Sequence, residues 1–444
     1  MKKIFLLLLC LLPFGLKAQN FRTWALTPPM GWNSWDCYGP TVTEAEVKAN
    51  ADYMAKNLKQ YGWQYIVVDI RWFVANTKSH GYNEKDPVYN LDDYGRYLPA
   101  ENRFPSAAGG KGFKALADYI HRLGLKFGIH IMRGIPKIAS IRHTPVLGAN
   151  GITADQISMP EGQCNWLHDN YTILADKPGA QEYYNSIMDL YASWGVDFIK
   201  VDDLSAPTYH EDEIDLIRKA IDQTGRPMVL SVSPGETPIG SANHVDSHVN
   251  MWRMVNDVWD NWNDITHLMK VAQRWYSYIG EGTWPDCDMI PLGHLSIRGE
   301  RGNDRMTNLT TDEQYSLMSF FSMMRSPLMF GGDLPTMDSF TLKLLTNKEV
   351  LRMHDQSTKT RQLFMTDTQL AVTSVNVNTG EIYLALFNIG DNHDVNIMVN
   401  LKSLGLKGRY RAVNLWTGSK LGSVIGKYTK KLRPHACILV KFYK

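Results

Sequence analysis

Three times before residue 205 the chain repeats one unit: an amphipathic helical stripe, a glycine that stops it, and a short apolar strand ending on polar residues. Thr43-Glu-Ala-Glu46 is a capping box, and Val47, Ala51, Met54 and Leu58 follow at helical spacing before Gly62 and "YIVVD" (Tyr65 to Asp69). Phe113, Leu116, Ile120 and Leu123 form a second stripe, stopped by Gly124 before "KFGIHI". Tyr184, Ile187, Leu190 and Trp194 form a third, stopped by Gly195 before "FIKVDD". "MGWNSW" precedes these units, and "MVLSVS", "MWRMV", "WPDCDM" and "PLMFGG" follow, giving about eight strands alternating with helices. Eight such units predict a closed α/β barrel of the (β/α)8, or TIM, type over an open doubly wound sheet. No GxGxxG follows the first strand, which argues against a dinucleotide-binding fold.

From about Arg361 the pattern changes to alternating apolar and polar residues broken by Gly, Asn and Asp turns, as in "LAVTSVNV", "EIYLALFNI" and "ACILVKFY". A C-terminal antiparallel β-sandwich is expected there. With 444 residues the chain has room for both units, so the barrel is placed at residues 24–352 and the sandwich at 360–444. The N-terminus, MKKIFLLLLCLLPFGLKAQN, reads as a cleaved signal peptide over residues 1–18 and predicts export to the periplasm or beyond. No later stretch approaches the ~20 apolar residues a bilayer span needs, so no membrane insertion is expected. A formal net charge of +2 gives no argument for nucleic acid. Outside the leader stand Cys37, Cys164, Cys287 and Cys437, scattered and without a CxxC pair; they indicate no metal site, and the spacing cannot pair them.

In a (β/α)8 enzyme the chemistry sits at the C-terminal strand ends. Those ends carry Trp35, Asp36, Asp69, His130, Lys200, Asp202, Asp203, Ser231, Ser233, Arg253, Asp257, Asp286 and Asp288. Carboxylates with a few cations and Trp, lacking a Ser–His or Cys–His nucleophile arrangement, form the inventory of a glycosidase and call for no cofactor. Alternation along "FIKVDD" puts Phe198, Lys200 and Asp202 on one face and Ile199 and Val201 on the other. The β-branched pair suits the helix-facing side, so Lys200 and Asp202 point into the barrel mouth. The ammonium then keeps Asp202 ionised, as a nucleophile requires; a buried ion pair with Lys200 is the alternative reading. Asp203 faces away and is expected to cap the next segment. In "WRMVNDVWDNW" spacing leaves Asp257 and Asp260 as alternatives for the second acid, and either could N-cap a helix.

Six ordered motifs, "TPPMGWNSWDCYG", "YIVVDIRWF", "WGVDFIKVDDL", "NMWRMVNDVWDNW", "WPDCDMIPLG" and "RSPLMFGGDL", resemble the melibiase-type α-galactosidases of glycoside hydrolase family 27. The resemblance implies a retaining exo-glycosidase without metal or cofactor. Asp202 matches the nucleophile and Asp257 the acid/base. Lys200 and Arg253 match residues holding ring hydroxyls, Trp35 an apolar wall, and Asp69 a ligand on the C4/C6 side; Asp288, by its place at a strand end, is expected as a further sugar contact. The implied substrate is a glycan with a terminal α-D-galactosyl residue. The chain also departs from the family pattern: Ile70 stands where a second acid usually follows Asp69, Ser233 replaces a bulkier residue near C2, and Leu204 stands where a cysteine is usual. The first change suits β-L-arabinopyranose and the second N-acetylgalactosamine; the third puts the family's loop disulfide in doubt. His130 stands where relatives carry Tyr, as a pocket residue or a core histidine. A glycan-binding barrel without catalysis is the reading from another class.

Overall fold

The computed structural model describes residues 20–444, so the expected signal peptide lies outside the described residues. Eight parallel strands form the barrel: β1 (Met30–Asn33), β2 (Tyr65–Val68), β3 (Lys126–Met132), β4 (Phe198–Asp202), β5 (Val229–Val232), β6 (Met251–Arg253), β7 (Trp284–Asp286, continued at Met289–Ile290) and β8 (Leu328–Phe330). The pairing runs in sequence order from β1 to β7, and β1 also pairs with β8. The first half of β7 pairs with β6 and its continuation with β8, so β7 joins the two edges and closes the ring.

Each strand divides its side chains as alternation predicts. Ile199 and Val201 on β4, with Ile66, Val68, Ile129 and Leu230, join the large core beneath the helices. Tyr65, Phe198, Val229, Met251, Trp284 and Met329 point inward and fill the barrel. Truncating a fully buried residue such as Ile199 to Ala would cost about 2–5 kcal/mol. The helices follow the same logic. Thr43 caps Glu44–Asn57 through a reciprocal box with Glu46, and Val47, Ala51, Met54 and Leu58 are all fully buried. Gly195, in the left-handed region, ends the helix Ala180–Trp194.

The C-terminal unit is an antiparallel sandwich of a six-stranded sheet and a two-stranded one. Its first strand, Ser357–Met365, starts directly after the helix Lys348–Gln356, slightly ahead of the expected boundary. Trp416 Nε1 donates to Ser319 Oγ at 2.7 Å, tying the sandwich to the barrel helix Thr311–Met323. All four cysteines of the described residues are free thiols. Among the described residues no helix is long and apolar enough to cross a membrane.

Candidate active site

The C-terminal strand ends surround a cavity of about 860 Å³ that Asp202 and Asp257 both line. Asp202 closes β4. Its Oδ2 lies 2.8 Å from His130 Nε2 on the neighbouring β3, and the Ser233 hydroxyl, just past β5, donates to its Oδ1. Burial pushes the carboxyl pKa up, but the charges of Lys200 and His130 and these two hydrogen bonds outweigh it and hold the group well below the usual carboxylate range. Lys200 makes its direct ion pair with Asp69, 3.1 Å away. Asp69 also accepts from Asn33 Nδ2 at 2.7 Å and from the Ile70 amide at 2.9 Å. Burial opposes its ionisation, and Lys200 and His130 reverse that, lowering its pKa.

The structure separates the two candidates for the second acid. Asp257 lines the cavity with 44% of its side chain exposed, and Arg253 Nη2 donates to its Oδ1 at 3.0 Å. Asp260 is buried and held by Arg305 at 2.6 Å and by the Asn308 amide at 2.8 Å, away from the cavity lining. Neither acid caps the following helix; Asn261 does. Arg253 is shared: its Nη1 lies 2.6 Å from Asp288 Oδ1, while Asp288 Oδ2 accepts from the Val258 amide at 2.7 Å. Burial, only partly offset by Arg253, raises the Asp288 pKa, and that of Asp286 is pushed up to about 6 by the same cause. Asp36, buried in the cavity floor, is raised by burial and then by the Asp288 charge. A Cβ at position 331 would overlap its carboxylate, which requires the glycine there.

Of the residues anticipated as sugar contacts, Trp35, Asp69, Lys200, Arg253 and Asp288 line the cavity. His130 and Ser233 do not: both are fully buried beneath it, and their polar atoms serve the Asp202 carboxylate. Asp203 also differs from expectation. Instead of capping the helix Glu211–Gln223, it takes a positive φ of 64° and pairs with Arg133 at 2.9 Å. Burial pushes its pKa up to about 6 despite that partner. Arg133 also reaches Glu213 at 2.9 Å, so it anchors the loop after β4 from below.

Ile70 lines the cavity beside Asp69 and is buried. The wall that sequence reasoning missed comes from the long loops: Tyr82 stacks on Trp35 with ring centroids 5.8 Å apart, Trp166 lies 6.1 Å from Tyr82, and Glu300 and Arg301 close the Asp257 side. Aromatics inside long βα loops are the only sequence signal for the first two. Ionised carboxylates held by fixed cations, an aromatic wall and a cavity open to water are equipped to bind a sugar ring and attack its anomeric carbon. Asp215, His244 and His248 bring potential metal-ligand atoms within 4.8 Å of one another, and none of them lines this cavity.

The chain is similar to known proteins over most of its length. Residues 168–356 match the alpha galactosidase A family and residues 367–442 its C-terminal beta sandwich domain. The solved structure of a GH27 β-L-arabinopyranosidase from Geobacillus stearothermophilus is 49% identical, with a TM-score of 0.93, over 96% of this chain and 98% of that one. A Bacillus halodurans protein provisionally named an α-N-acetylgalactosaminidase is 45% identical, with a TM-score of 0.85, over 95% of this chain and 98% of that one. Alpha-galactosidase 2 of Arabidopsis thaliana is 27% identical over 93% of this chain and 88% of that protein.

Proposed function

Because this chain belongs to glycoside hydrolase family 27, the melibiases, we propose that it is a retaining exo-glycosidase whose preferred substrates are terminal β-L-arabinopyranosides. Glycosidase activity follows from the family. The choice of sugar rests on one observation: the cavity wall beside Asp69 is Ile70, an apolar side chain. β-L-arabinopyranose has the ring stereochemistry of α-D-galactopyranose but carries hydrogen in place of the C6 hydroxymethyl. An isoleucine packs against that hydrogen without loss, whereas a galactosyl O6 held there lacks an acceptor, at a cost of about 1–3 kcal/mol. The 49% identity to a β-L-arabinopyranosidase supports this reading. Terminal α-D-galactosides are the second reading, favoured by the family match and the α-galactosidases at 27% identity.

In the proposed mechanism Asp202 attacks the anomeric carbon, and Asp257 protonates the departing glycosidic oxygen. Asp257 then takes a proton from water, which displaces Asp202 and restores the starting anomeric configuration. His130, Ser233 and Lys200 keep Asp202 anionic and oriented. Arg253 holds Asp257, which is exposed enough to reach both the leaving oxygen and solvent. Asp69 and Lys200 offer an acceptor and a donor to ring hydroxyls, and Trp35 with Tyr82 offers the apolar face. The reading also includes export to the periplasm or beyond, on the strength of the leader sequence. Cell fractionation checks that part; residence of the uncleaved chain in the cytoplasm would refute it.

The test is a panel of aryl β-L-arabinopyranoside, α-D-galactoside and α-N-acetylgalactosaminide. The highest kcat/KM is expected on the arabinopyranoside. A higher value on either other glycoside overturns the sugar assignment, and turnover of none of them overturns the enzymatic reading.

A further inference from the structure

On the outside of the barrel, two helices face each other with paired side chains at four-residue spacing. Glu211 and Asp215 belong to the helix Glu211–Gln223, and His244 and His248 to the helix Ala242–His248. His244 Nε2 lies 2.9 Å from Asp215 Oδ1 and 3.8 Å from Glu211 Oε1. His248 Nε2 reaches the same Asp215 oxygen at 3.2 Å, and the two imidazoles stack with centroids 4.1 Å apart. The Asp215, His244 and His248 ligand atoms all fall within 4.8 Å of one another.

The outer nitrogens of both rings are held as well. His248 Nδ1 lies 2.9 Å from the His244 backbone carbonyl and 3.0 Å from the Ser247 hydroxyl, so the outer nitrogen is engaged on its own helix. Its Nε2 faces the Asp215 carboxylate at 3.2 Å. His244 is oriented in the same way from behind, its Nδ1 held by the Tyr209 hydroxyl at 2.6 Å. Imidazoles fixed through their outer nitrogens, with the inner ones converging on carboxylates, are the arrangement that metal-binding histidines adopt.

We propose that Asp215, His244 and His248, with Glu211 beside them, bind one zinc-class divalent metal ion that ties these two barrel helices together. Two imidazoles with a carboxylate suit zinc, whose fourth position water or Glu211 can fill, whereas magnesium and calcium favour all-oxygen sites. Cysteine spacing gives no hint of the site; the signal is the pairing of Glu-x3-Asp with His-x3-His on neighbouring helices. Its residues lie outside the catalytic cavity, although Tyr209 closely follows Ala206 and Pro207 in the cavity wall.

The test uses the purified full chain, stripped with a chelator, dialysed and titrated with zinc alone by calorimetry, with metal content measured afterwards. One zinc per chain at micromolar zinc or below is expected, together with a rise in thermal midpoint. His248→Ala and the more exposed Asp215→Asn should each abolish both effects and leave aryl-glycoside turnover at the wild-type level. Tyr209→Phe should weaken binding on the order of tenfold. Absence of bound zinc in the wild type, or equal binding and stabilisation in both ligand variants, would overturn the proposal.

Discussion

Replacing His130 with Phe isolates what holds Asp202 ready. The ring is fully buried on β3, so a residue of similar volume preserves packing while removing the Nε2 contact to Asp202 Oδ2 at 2.8 Å. A hydrogen bond to a charged group contributes about 1.5–3 kcal/mol, and its loss leaves one carboxylate oxygen without a side-chain donor. At about 1.4 kcal/mol per pKa unit, the Asp202 pKa should rise by about one to two units. Asp202 starts well below the usual carboxylate range, with Lys200 and Ser233 still in place, so it stays ionised at neutral pH. The acid limb of kcat/KM should therefore move up by about one to two pH units. Stability carries the same signature. A depressed carboxyl pKa stabilises the fold above its unfolded value, near 4, and that contribution fades as pH falls toward the native value. The variant should thus melt below wild type at pH 7, and the gap should narrow as pH drops below about 4. The assays are an aryl-glycoside pH–rate profile and calorimetric melting across the same range. An acid limb that does not move, or a melting gap independent of pH, would refute the role given to His130.

Ile70→Asp should raise kcat/KM on aryl α-D-galactoside relative to β-L-arabinopyranoside by about 5- to 150-fold, the factor corresponding to about 1–3 kcal/mol; an unchanged ratio removes Ile70 as the discriminator. Asp257→Ala should cost about 10²–10⁴-fold on substrates with a poorly leaving alkoxide but far less on an activated aryl glycoside, because only the former needs proton donation; equal losses on both would show that Asp257 is not the acid. Asp286 has its pKa pushed up to about 6, so in the wild type it destabilises the fold increasingly as pH rises from about 4 to 6. Asp286→Asn should therefore gain melting temperature over wild type across that interval and level off above it; a pH-independent gain contradicts the assignment. Asp260→Asn should lower the thermal midpoint through the lost Arg305 pairing while leaving the leaving-group dependence of turnover intact.

Periodicity carries the barrel because a glycine stop followed by a β-branched strand encodes a βα unit locally. The same alternation correctly divides β4, sending Ile199 and Val201 to the helices and Lys200 and Asp202 to the mouth. Depth along the barrel axis is different, because it depends on register between strands. His130 is paired with Lys200, one layer below Asp202, and Ser233 follows Val232, the register partner of Val201. His130 therefore meets the carboxylate from the layer below and Ser233 from its own level, and both polar atoms serve Asp202 instead of the sugar-binding wall. Asp203 escapes the pattern because its positive φ takes it off the strand and onto Arg133, a partner from the end of β3. Tyr82, Trp166, Glu300 and Arg301 arrive on long loops, where neither the helical nor the strand period predicts what reaches the cavity.

The central claim is double displacement through Asp202. Proton NMR of the sugar first released from an aryl β-L-arabinopyranoside, recorded before mutarotation, tests it most directly. The account predicts the β-anomer first, with Asp202→Asn releasing none. The α-anomer appearing first would mean a single displacement by water and would contradict the nucleophile, the acid/base cycle and the retaining mechanism together.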